Sequence, residues 1–290
     1  MIRPERDIPI AQYTSYNIGG IAREVYFPTD SSEMLDIFES LKKRKTPYFI
    51  LGGGTNVLVG DGYWDGAVIL TTRMNGFEAQ SDRLNCGAGL NSSQAAEIAL
   101  NNTKTGLEFL YKLPGTIGGA VAGNARFENI NISDTLISLT AVHPDSGMRS
   151  FNTDEIDFSY KYNRITGEDW YICELSLVWK DGDSDTIRQR MDEIEQFRKD
   201  SRHFDFPSSG CIFKNDHEKN IQAGRLLDSL GLKGLTVGGA EVAGYHANFI
   251  VNNGSATACD VLELIEKIES IVKEKTGITL KREVRLFGNF

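Results

Sequence analysis

The chain has 290 residues and a formal net charge of −9, with 40% hydrophobic and 24% charged residues. This balance is typical of a globular protein of roughly two or three packed domains, and it excludes wholesale disorder. An acidic chain is a poor candidate for binding nucleic acid or an anionic membrane, although a pocket within it can still hold an anionic small ligand.

The first half of the chain alternates strand-like and helix-like segments. Residues 24–27 predict a short strand that Pro28 ends, and Ser31 or Ser32 is the expected N-cap of the next helix. Apolar residues at helical spacing support that helix: they are Met34, Leu35, Ile37, Phe38 and Leu41. Further elements follow in chain order: strands at 47–51 and 67–71, a helix at 92–104, and strands at 135–142 and 171–179. The pattern is typical of an α/β or α+β protein.

The second half begins with a polar, charged stretch, residues 180–201, where we expect a domain boundary. A helix over 186–199 lies within this stretch. Two more helices are predicted near 221–230, which Gly231 ends, and over 257–275, whose apolar stripe is typical of a core-facing helix. The remaining strands are expected at 247–251 and 283–286.

No secretory signal, membrane span or cysteine framework is visible in the sequence. Residues 1–10 lack an apolar segment, and no window approaches the roughly 18 apolar residues of a membrane helix. The four cysteines, Cys86, Cys173, Cys211 and Cys259, form no CxxC pair. The sequence therefore predicts a cytoplasmic protein with reduced thiols, no metal site, and no membrane or nucleic-acid partner.

Two glycine-rich loops are the strongest local signals. LGGGTNVLV (51–59) and LPGTIGGA (113–120) both offer backbone N–H groups that no Cβ obstructs. The first loop has Val57 where a GxGxxG motif needs its last glycine, and it lacks the GK[ST] ending of a P-loop. Either loop alone could be a tight turn. Two of them in one chain favour a ligand with two phosphates, such as the dinucleotide FAD.

Several long motifs occur in one order along the chain. They are YTSYNIGG (13–20), the two glycine loops, PSSGCIFKN, AGRLLDSLGLKG, GGAEVAGYHANFIVN and LKREVRLFG. In this order and spacing, from about Thr14 to Gly288, the chain resembles the UDP-N-acetylenolpyruvoylglucosamine reductase family. Its length is similar to the shorter type, which lacks a substrate-covering insertion.

The resemblance implies an α+β fold. A two-lobed FAD-binding domain of the vanillyl-alcohol-oxidase/PCMH type would occupy residues 1–195, with lobes at about 1–70 and 71–195. A C-terminal α+β substrate domain would occupy 196–290, with its last strand able to return to the first lobe.

The resemblance also implies a two-step reaction in peptidoglycan precursor synthesis. NADPH reduces FAD, and the flavin then delivers hydride to the enolpyruvyl group of UDP-N-acetylglucosamine enolpyruvate, which yields UDP-N-acetylmuramate. A UDP-sugar is therefore the expected partner, and a monomer is the favoured state.

Three residues take the family's catalytic positions by resemblance. Cys211 stands in GCIFKN where the family usually has a proton-donating serine, and a thiol, with a reference pKa of about 8.5, can also donate. Glu283 matches the family's C-terminal glutamate. Lys161 stands where the family has an arginine, so the charge is kept and the planar fork is lost. Either Lys161 stabilises the developing enolate, or Arg164 does so, or the substrate differs.

Contacts to cofactor and substrate are carried over in the same way. The implied FAD-binding residues are Leu51, Gly52, Gly53, Gly54, Thr55, Asn56, Val57, Pro114, Gly115, Thr116, Ile117, Gly118 and Gly119. The implied substrate-binding residues are Tyr160, Arg164, Lys214, Asn215 and His246, although for His246 a hydrogen bond within the fold is the favoured role. Departures from the family at Asp216, at 243–245 and at 126–128 concern the substrate or flavin-edge regions, whereas the FAD loops are intact.

Three hypotheses stay open at this stage. The chain is the reductase that it resembles, or a diverged flavoprotein oxidoreductase acting on another nucleotide-sugar or enol acid, or a catalytically silent flavin-binding protein. Lys161 and its neighbours are the sequence feature that discriminates between them.

Overall fold

The computed structural model describes residues 2–290, which form two compact units. The first unit contains residues 2–6, Glu24–Gly53 and Gly66–Asp200. The second contains Asp7–Arg23, Gly54–Asp65 and Ser201–Phe290. Two early segments of the chain therefore belong to the same unit as the C-terminal residues.

A four-stranded sheet carries the first glycine loop at the end of one of its strands. The strand order is Glu5–Pro9, Ile21–Tyr26, Trp64–Leu70 and Tyr48–Leu51, and the last two strands are parallel. Helix Ser31–Arg44 packs its apolar face against this sheet, as its spacing of apolar residues predicts. Its N-cap is Asp30, whose carboxylate accepts the Glu33 N–H at 2.9 Å, so the prediction of Ser31 or Ser32 is wrong by one or two positions.

A five-stranded antiparallel sheet forms the rest of the first unit. Its order is Gly147–Asn152, Leu136–His143, Tyr171–Val178, Arg83–Gly87 and Phe77–Ala79. The helices of this part are Ser92–Asn101, Ile117–Ala122, Arg164–Gly167 and Ser184–Asp200. Short strand pairs join Arg126–Phe127 to Ile130–Asn131, Phe158–Ser159 to Tyr162–Asn163, and Lys104–Thr105 to Lys180–Asp181.

The second unit is built on a four-stranded antiparallel sheet. Its order is Ser208–Cys211, Phe249–Asn252, Ala240–Val242 and Thr236–Val237. Helices Ala223–Ser229 and Ala258–Thr276 complete it, and the last strand, Arg285–Phe287, pairs in parallel with Val57–Val59. The predicted long helix is confirmed: Thr257 caps it, Gly277 ends it in the left-handed conformation, and its stripe from Val261 to Val272 is buried.

Side-chain hydrogen bonds tie the early segments into the second unit. The Tyr16 hydroxyl donates to the Ile250 carbonyl at 3.0 Å, and the Asn252 amide donates to the Tyr16 carbonyl at 3.0 Å. The Asp61 carboxylate accepts the Ala258 N–H at 2.6 Å, at the start of the long helix. These contacts place the early segments in the same compact unit as the C-terminal residues.

Several element ends differ from the sequence prediction. The helix predicted over 92–104 ends at Asn101, because the chain turns there and Lys104–Thr105 pairs as a strand. The short strands Arg83–Gly87 and Gly147–Asn152 were not predicted. No helix within residues 2–290 is both long and apolar enough to cross a membrane.

Candidate functional site

The two glycine loops contact each other in the first unit. A Cβ placed on Gly53 would lie 2.6 Å from the Gly115 Cα, and one on Gly52 would lie 2.8 Å from the Thr116 Oγ1. Both distances are too short for any side chain. The absence of side chains at 52 and 53 is therefore required for the loops to approach each other, whatever else the loops bind.

Where the two loops meet, the protein leaves backbone donors unused. Within residues 2–290, the N–H groups of Gly53, Gly115 and Thr116 donate to no protein acceptor. Backbone N–H groups of this kind are suited to phosphate oxygens. The loops therefore fit a dinucleotide pyrophosphate such as that of FAD.

Other predicted cofactor contacts are engaged within the protein. Leu51, Val57 and Ile117 are at most 8% exposed, and the Ile117 N–H donates to the Leu90 carbonyl at 2.9 Å. The Gly118 N–H donates to the Ala88 carbonyl at 2.8 Å. The Gly119 N–H donates to the Thr116 hydroxyl at 3.3 Å, because Thr116 caps helix Ile117–Ala122.

In the second unit, the remaining part of the first loop is fixed by its own neighbours. Gly54 has a φ of +62°, and a Cβ there would lie 2.0 Å from the Tyr13 carbonyl oxygen. The Asn56 amide donates to the Glu283 carbonyl at 3.3 Å. Thr55 is half-buried, while Pro114 of the other loop is exposed and has no N–H to offer.

Lys161 lies in the tight turn of a two-stranded hairpin. Phe158–Ser159 pairs with Tyr162–Asn163, so Tyr160 and Lys161 form the connection, and Lys161 has a φ of +56°. The fully buried Asn163 donates from its amide to the carbonyls of Val121 and Ala122, at 2.9 and 3.1 Å. The hairpin is thereby attached to the helix that follows the second glycine loop.

Arg164 makes its contacts within the first unit. Its guanidinium donates to the Glu155 carbonyl at 2.6 Å and lies 3.5 Å from Asp157 and 3.3 Å from Glu168. These three contacts fix the side chain against its own hairpin and helix.

Cys211 lies at the end of strand Ser208–Cys211 in the second unit and opens on a cavity. The thiol is half-buried, and Gly210 before it has a φ of +76°. The cavity has a volume of about 350 Å³. Its lining residues are Cys211, Asn215, Gln222, Gly224, Arg225, Asp228, Lys233, Tyr245, His246, Ala247 and Asn248.

The structure brings the segments of Cys211 and Glu283 together. The Glu283 N–H donates to the Ile212 carbonyl at 2.7 Å, and the Lys214 N–H donates to the Lys281 carbonyl at 2.8 Å. Predicted substrate residues lie close by in this unit: Lys214 follows directly, and the Asn215 side chain accepts the Ala223 N–H at 2.9 Å at the start of a helix.

His246 presents one ring nitrogen to the cavity. Its Nδ1 accepts the Asn248 N–H at 3.2 Å, so the proton of the neutral ring is on Nε2. Burial lowers the pKa of His246 below its ordinary value, and Lys233 acts in the same direction. Gly224 leaves room for the ring, since a Cβ there would lie 3.2 Å from His246 Cε1. His246 thus hydrogen-bonds within the fold and also lines the cavity.

Two buried asparagines at the site were not identified from the sequence. Asn163 supports the Lys161 hairpin, and Asn248, which is 3% exposed, contacts the segment after Cys211. For Asn248 the available signal was its place inside an apolar run, Ala247-Asn248-Phe249, whereas Asn163 stands between Tyr162 and Arg164. Among residues 2–290, no group of three or more His, Cys, Asp or Glu side chains could hold a metal ion.

Two family models match separate parts of the chain. The model described as an FAD binding domain matches residues 22–152. The model described as the C-terminal domain of UDP-N-acetylenolpyruvoylglucosamine reductase matches residues 202–287.

Known proteins are similar over nearly the whole chain. A UDP-N-acetylenolpyruvoylglucosamine reductase of Caldanaerobacter subterraneus subsp. tengcongensis is 34% identical over 97% of this chain and 92% of its own. A protein of the same name from Borrelia garinii subsp. bavariensis is 37% identical over 96% of this chain and 92% of its own. The crystal structure of UDP-N-acetylenolpyruvylglucosamine reductase from Thermus caldophilus matches with a TM-score of 0.81 at 30% identity, covering 99% of this chain and 100% of that one. The expected fold class is confirmed.

Proposed function

Because the chain belongs to the UDP-N-acetylenolpyruvoylglucosamine reductase family, we propose that it reduces UDP-N-acetylglucosamine enolpyruvate to UDP-N-acetylmuramate with FAD and NADPH. It is an FAD-dependent oxidoreductase of peptidoglycan precursor synthesis. We further propose that it acts in the cytoplasm as a monomer and so contributes to cell-wall biogenesis, cell shape and cell division. Residues 1–195 are proposed to hold FAD and 196–290 the UDP-sugar.

The proposed FAD site rests on the unused donors at the glycine loops. Gly53, Gly115 and Thr116 would offer their N–H groups to the pyrophosphate, and the close approach of the two loops fixes the direction of these donors. When bound, FAD supplies hydride transfer from NADPH to the substrate carbon. The chain's own residues bind, orient and move protons around that step.

Lys161 is proposed to stabilise the negative charge that develops on the enolpyruvyl group. The turn fixes the backbone from which the Lys161 ammonium extends, and a cation placed where the charge develops stabilises it. Its hairpin is anchored through Asn163 to helix Ile117–Ala122. This anchoring, which fixes the backbone at the Lys161 turn, supports Lys161 as the cation.

Cys211 is proposed to donate the proton that completes the reaction, and Glu283 to lie beside it. The observation that carries this proposal is the position of Cys211: it opens on the cavity while its segment is hydrogen-bonded to Glu283. Arg225 and Lys233 line the same cavity, with Lys233 also paired to Asp228 at 2.9 Å. These cations suit a substrate that carries a diphosphate.

The test is stopped-flow measurement of the two half-reactions. Cys211→Ala should leave flavin reduction by NADPH intact and slow reoxidation by the substrate about 10²-fold or more, the scale of lost general-acid catalysis. Cys211→Ser should retain substantial activity, because a hydroxyl can also donate. Cys259→Ala, which removes an exposed thiol, is the control and should match the wild type.

Each competing hypothesis has its own outcome in this experiment. Equal loss of both half-reactions in Cys211→Ala would assign Cys211 to folding or cofactor binding. Flavin reduction without reoxidation by this substrate would favour a diverged oxidoreductase. A protein that neither binds FAD nor accepts electrons from NADPH would be a silent relative.

A further inference from the structure

The strand that ends at Cys211 is irregular where the thiol is placed. Ser208 pairs with Val251, and Cys211 pairs with Phe249. The first strand therefore advances three residues over a distance in which its partner advances two. Gly210, in the left-handed region, absorbs the extra residue. An irregularity of this kind re-aims a side chain, but it also interrupts the ladder of hydrogen bonds that would hold the strand in register.

The side chain of Asn248 supplies bonds next to that interruption. Its Oδ1 accepts the Phe213 N–H at 3.0 Å, and its Nδ2 donates to the Phe213 carbonyl at 2.8 Å. Its backbone carbonyl accepts the Ile212 N–H at 2.9 Å. One amide therefore pairs with both backbone groups of a residue, as a neighbouring strand would.

The opposite edge of the same segment is bonded to the strand of Glu283. The Ile212 carbonyl accepts the Glu283 N–H, and Phe213 forms a bridge with Arg282. The segment that follows Cys211 is thus held between Asn248 on one side and residues 281–283 on the other. A shift on the Asn248 side would move the thiol relative to the Glu283 strand.

We propose that Asn248 is a positioning residue that sets the Cys211 thiol for proton transfer. The inference rests on the proposed function, in which Cys211 is the donor. In that step the Cys211 S–H bond breaks, the proton passes to the substrate carbanion, and water reprotonates the thiolate. Asn248 lines the cavity beside Cys211, and in this scheme it moves no proton itself but acts through the segment Cys211–Phe213.

The first test compares two buried asparagines of one strand region. Asn248→Ala removes both bonds to Phe213, whereas Asn252→Ala removes a bond to Tyr16 and acceptors for Gly254 and Ala256. Both variants should lower the melting temperature. Only Asn248→Ala should slow flavin reoxidation by the substrate, by about 10²-fold, since small misplacements of reacting groups cost this much. Flavin reduction by NADPH should stay within about twofold of wild type in both.

If Asn248→Ala does not fold with FAD bound, the same measurements are made on Asn248→Asp. It keeps an oxygen for the Phe213 N–H but sets a second acceptor oxygen against the Phe213 carbonyl, and it should slow reoxidation less than Cys211→Ala does. Equal slowing of both half-reactions, or reoxidation as fast as in Asn252→Ala, would overturn the proposal.

A double-mutant cycle separates positioning of Cys211 from any other effect. If Asn248 acts through the thiol, Cys211→Ala/Asn248→Ala should reoxidise no more than about threefold slower than Cys211→Ala alone. If the rate losses of the two single variants multiply in the double variant, Asn248 does not act by positioning the Cys211 thiol. Failure of the proposed function itself looks different, because Cys211→Ala alone would then reoxidise at the wild-type rate.

Discussion

At the scale of single residues, Lys161 occupies a backbone conformation that lysine disfavours. Its φ of +56° lies in the left-handed region, which costs a residue with a Cβ roughly 1 kcal/mol. Glycine or asparagine would meet the needs of this turn with less strain. The proposed role of the ammonium group would account for a lysine at this position, although Lys45 and Lys112 share the same backbone conformation.

Replacing Lys161 should therefore separate activity from stability. Lys161→Met should slow reoxidation of the reduced flavin by about 10²–10³-fold, the scale of one lost preorganised contact. Lys161→Gly should lose the same activity and raise the melting temperature, because it relieves the left-handed strain. Arg164→Met is the comparison, and it should lower stability while leaving the reoxidation rate within a few-fold of wild type. An inactive Arg164→Met beside a near-wild-type Lys161→Met would assign the electrostatic role to Arg164.

Residue types in long motifs were predictable, and their supporting residues were not. Cys211 and Glu283 could be located by the match of their motifs, and the structure brings their segments together. Asn163 and Asn248 could not, because a single asparagine next to apolar residues looks the same in a sequence whether its amide faces water or buried carbonyls. Only the positions of the facing backbone groups distinguish the two cases.

At the scale of elements, the lack of side chains in the glycine loops bears both on the exposure of backbone N–H groups and on the packing of the two loops. The sequence interpretation was that missing side chains expose N–H groups to an anion. The structure adds that the loops contact each other at Gly53 and Gly115, so the same residues are needed for packing. Loss of cofactor after a substitution at Gly53 would accordingly come from separated loops as well as from a blocked phosphate site.

Two alanine substitutions distinguish the packing glycines from the others. Gly53→Ala places a methyl 2.6 Å from the Gly115 Cα and should give protein with little or no FAD. Gly119→Ala places its methyl 3.4 Å from the Thr116 Oγ1, a contact that a small shift relieves, and should retain FAD. The flavin absorbance of each purified protein, before and after added FAD, gives the result. Equal FAD content in the two variants would contradict the packing argument.

Long amphipathic helices were predicted well, and short elements were not. Helix Ala258–Thr276 has an apolar stripe, a capping threonine and a terminal glycine, all readable in sequence. Helix Ile117–Ala122 has six residues, two of them glycine, so neither spacing nor propensity marks it. Its existence depends on the cap at Thr116 and on packing against Ala88.

At the scale of the whole molecule, the main result that the sequence did not predict is the division into units. Segments Asp7–Arg23 and Gly54–Asp65 join the C-terminal residues, although each is followed directly by segments of the first unit. Pairing between strands so far apart in the chain is set by three-dimensional packing rather than by local sequence pattern, and only the family resemblance suggested that the last strand returns to the early part of the chain.

A substitution at Asp61 tests how much the contact between an early segment and the long helix contributes to the free energy of unfolding. Asp61→Ala should lower the free energy of unfolding by about 1 kcal/mol, typical for a lost N-terminal cap, because the Ala258 N–H loses its acceptor. Asp65→Ala is the matched control, since that carboxylate is 75% exposed and paired with Arg23. Its effect should stay within about 0.5 kcal/mol in the same urea titration. Equal effects of the two variants would show that the cap contributes nothing.

The pairing of Val57–Val59 with Arg285–Phe287 also sets a minimum time before the second unit can be completed during biosynthesis. The two strands are 228 residues apart (285 − 57), and at about 5–20 residues per second a ribosome needs roughly 10–45 s to join them. During that interval, residues 57–59 have emerged without the strand that will pair with them. The second unit is therefore completed last, and a nascent chain that stops a few residues early would lack the only strand that pairs with Val57–Val59 in residues 2–290.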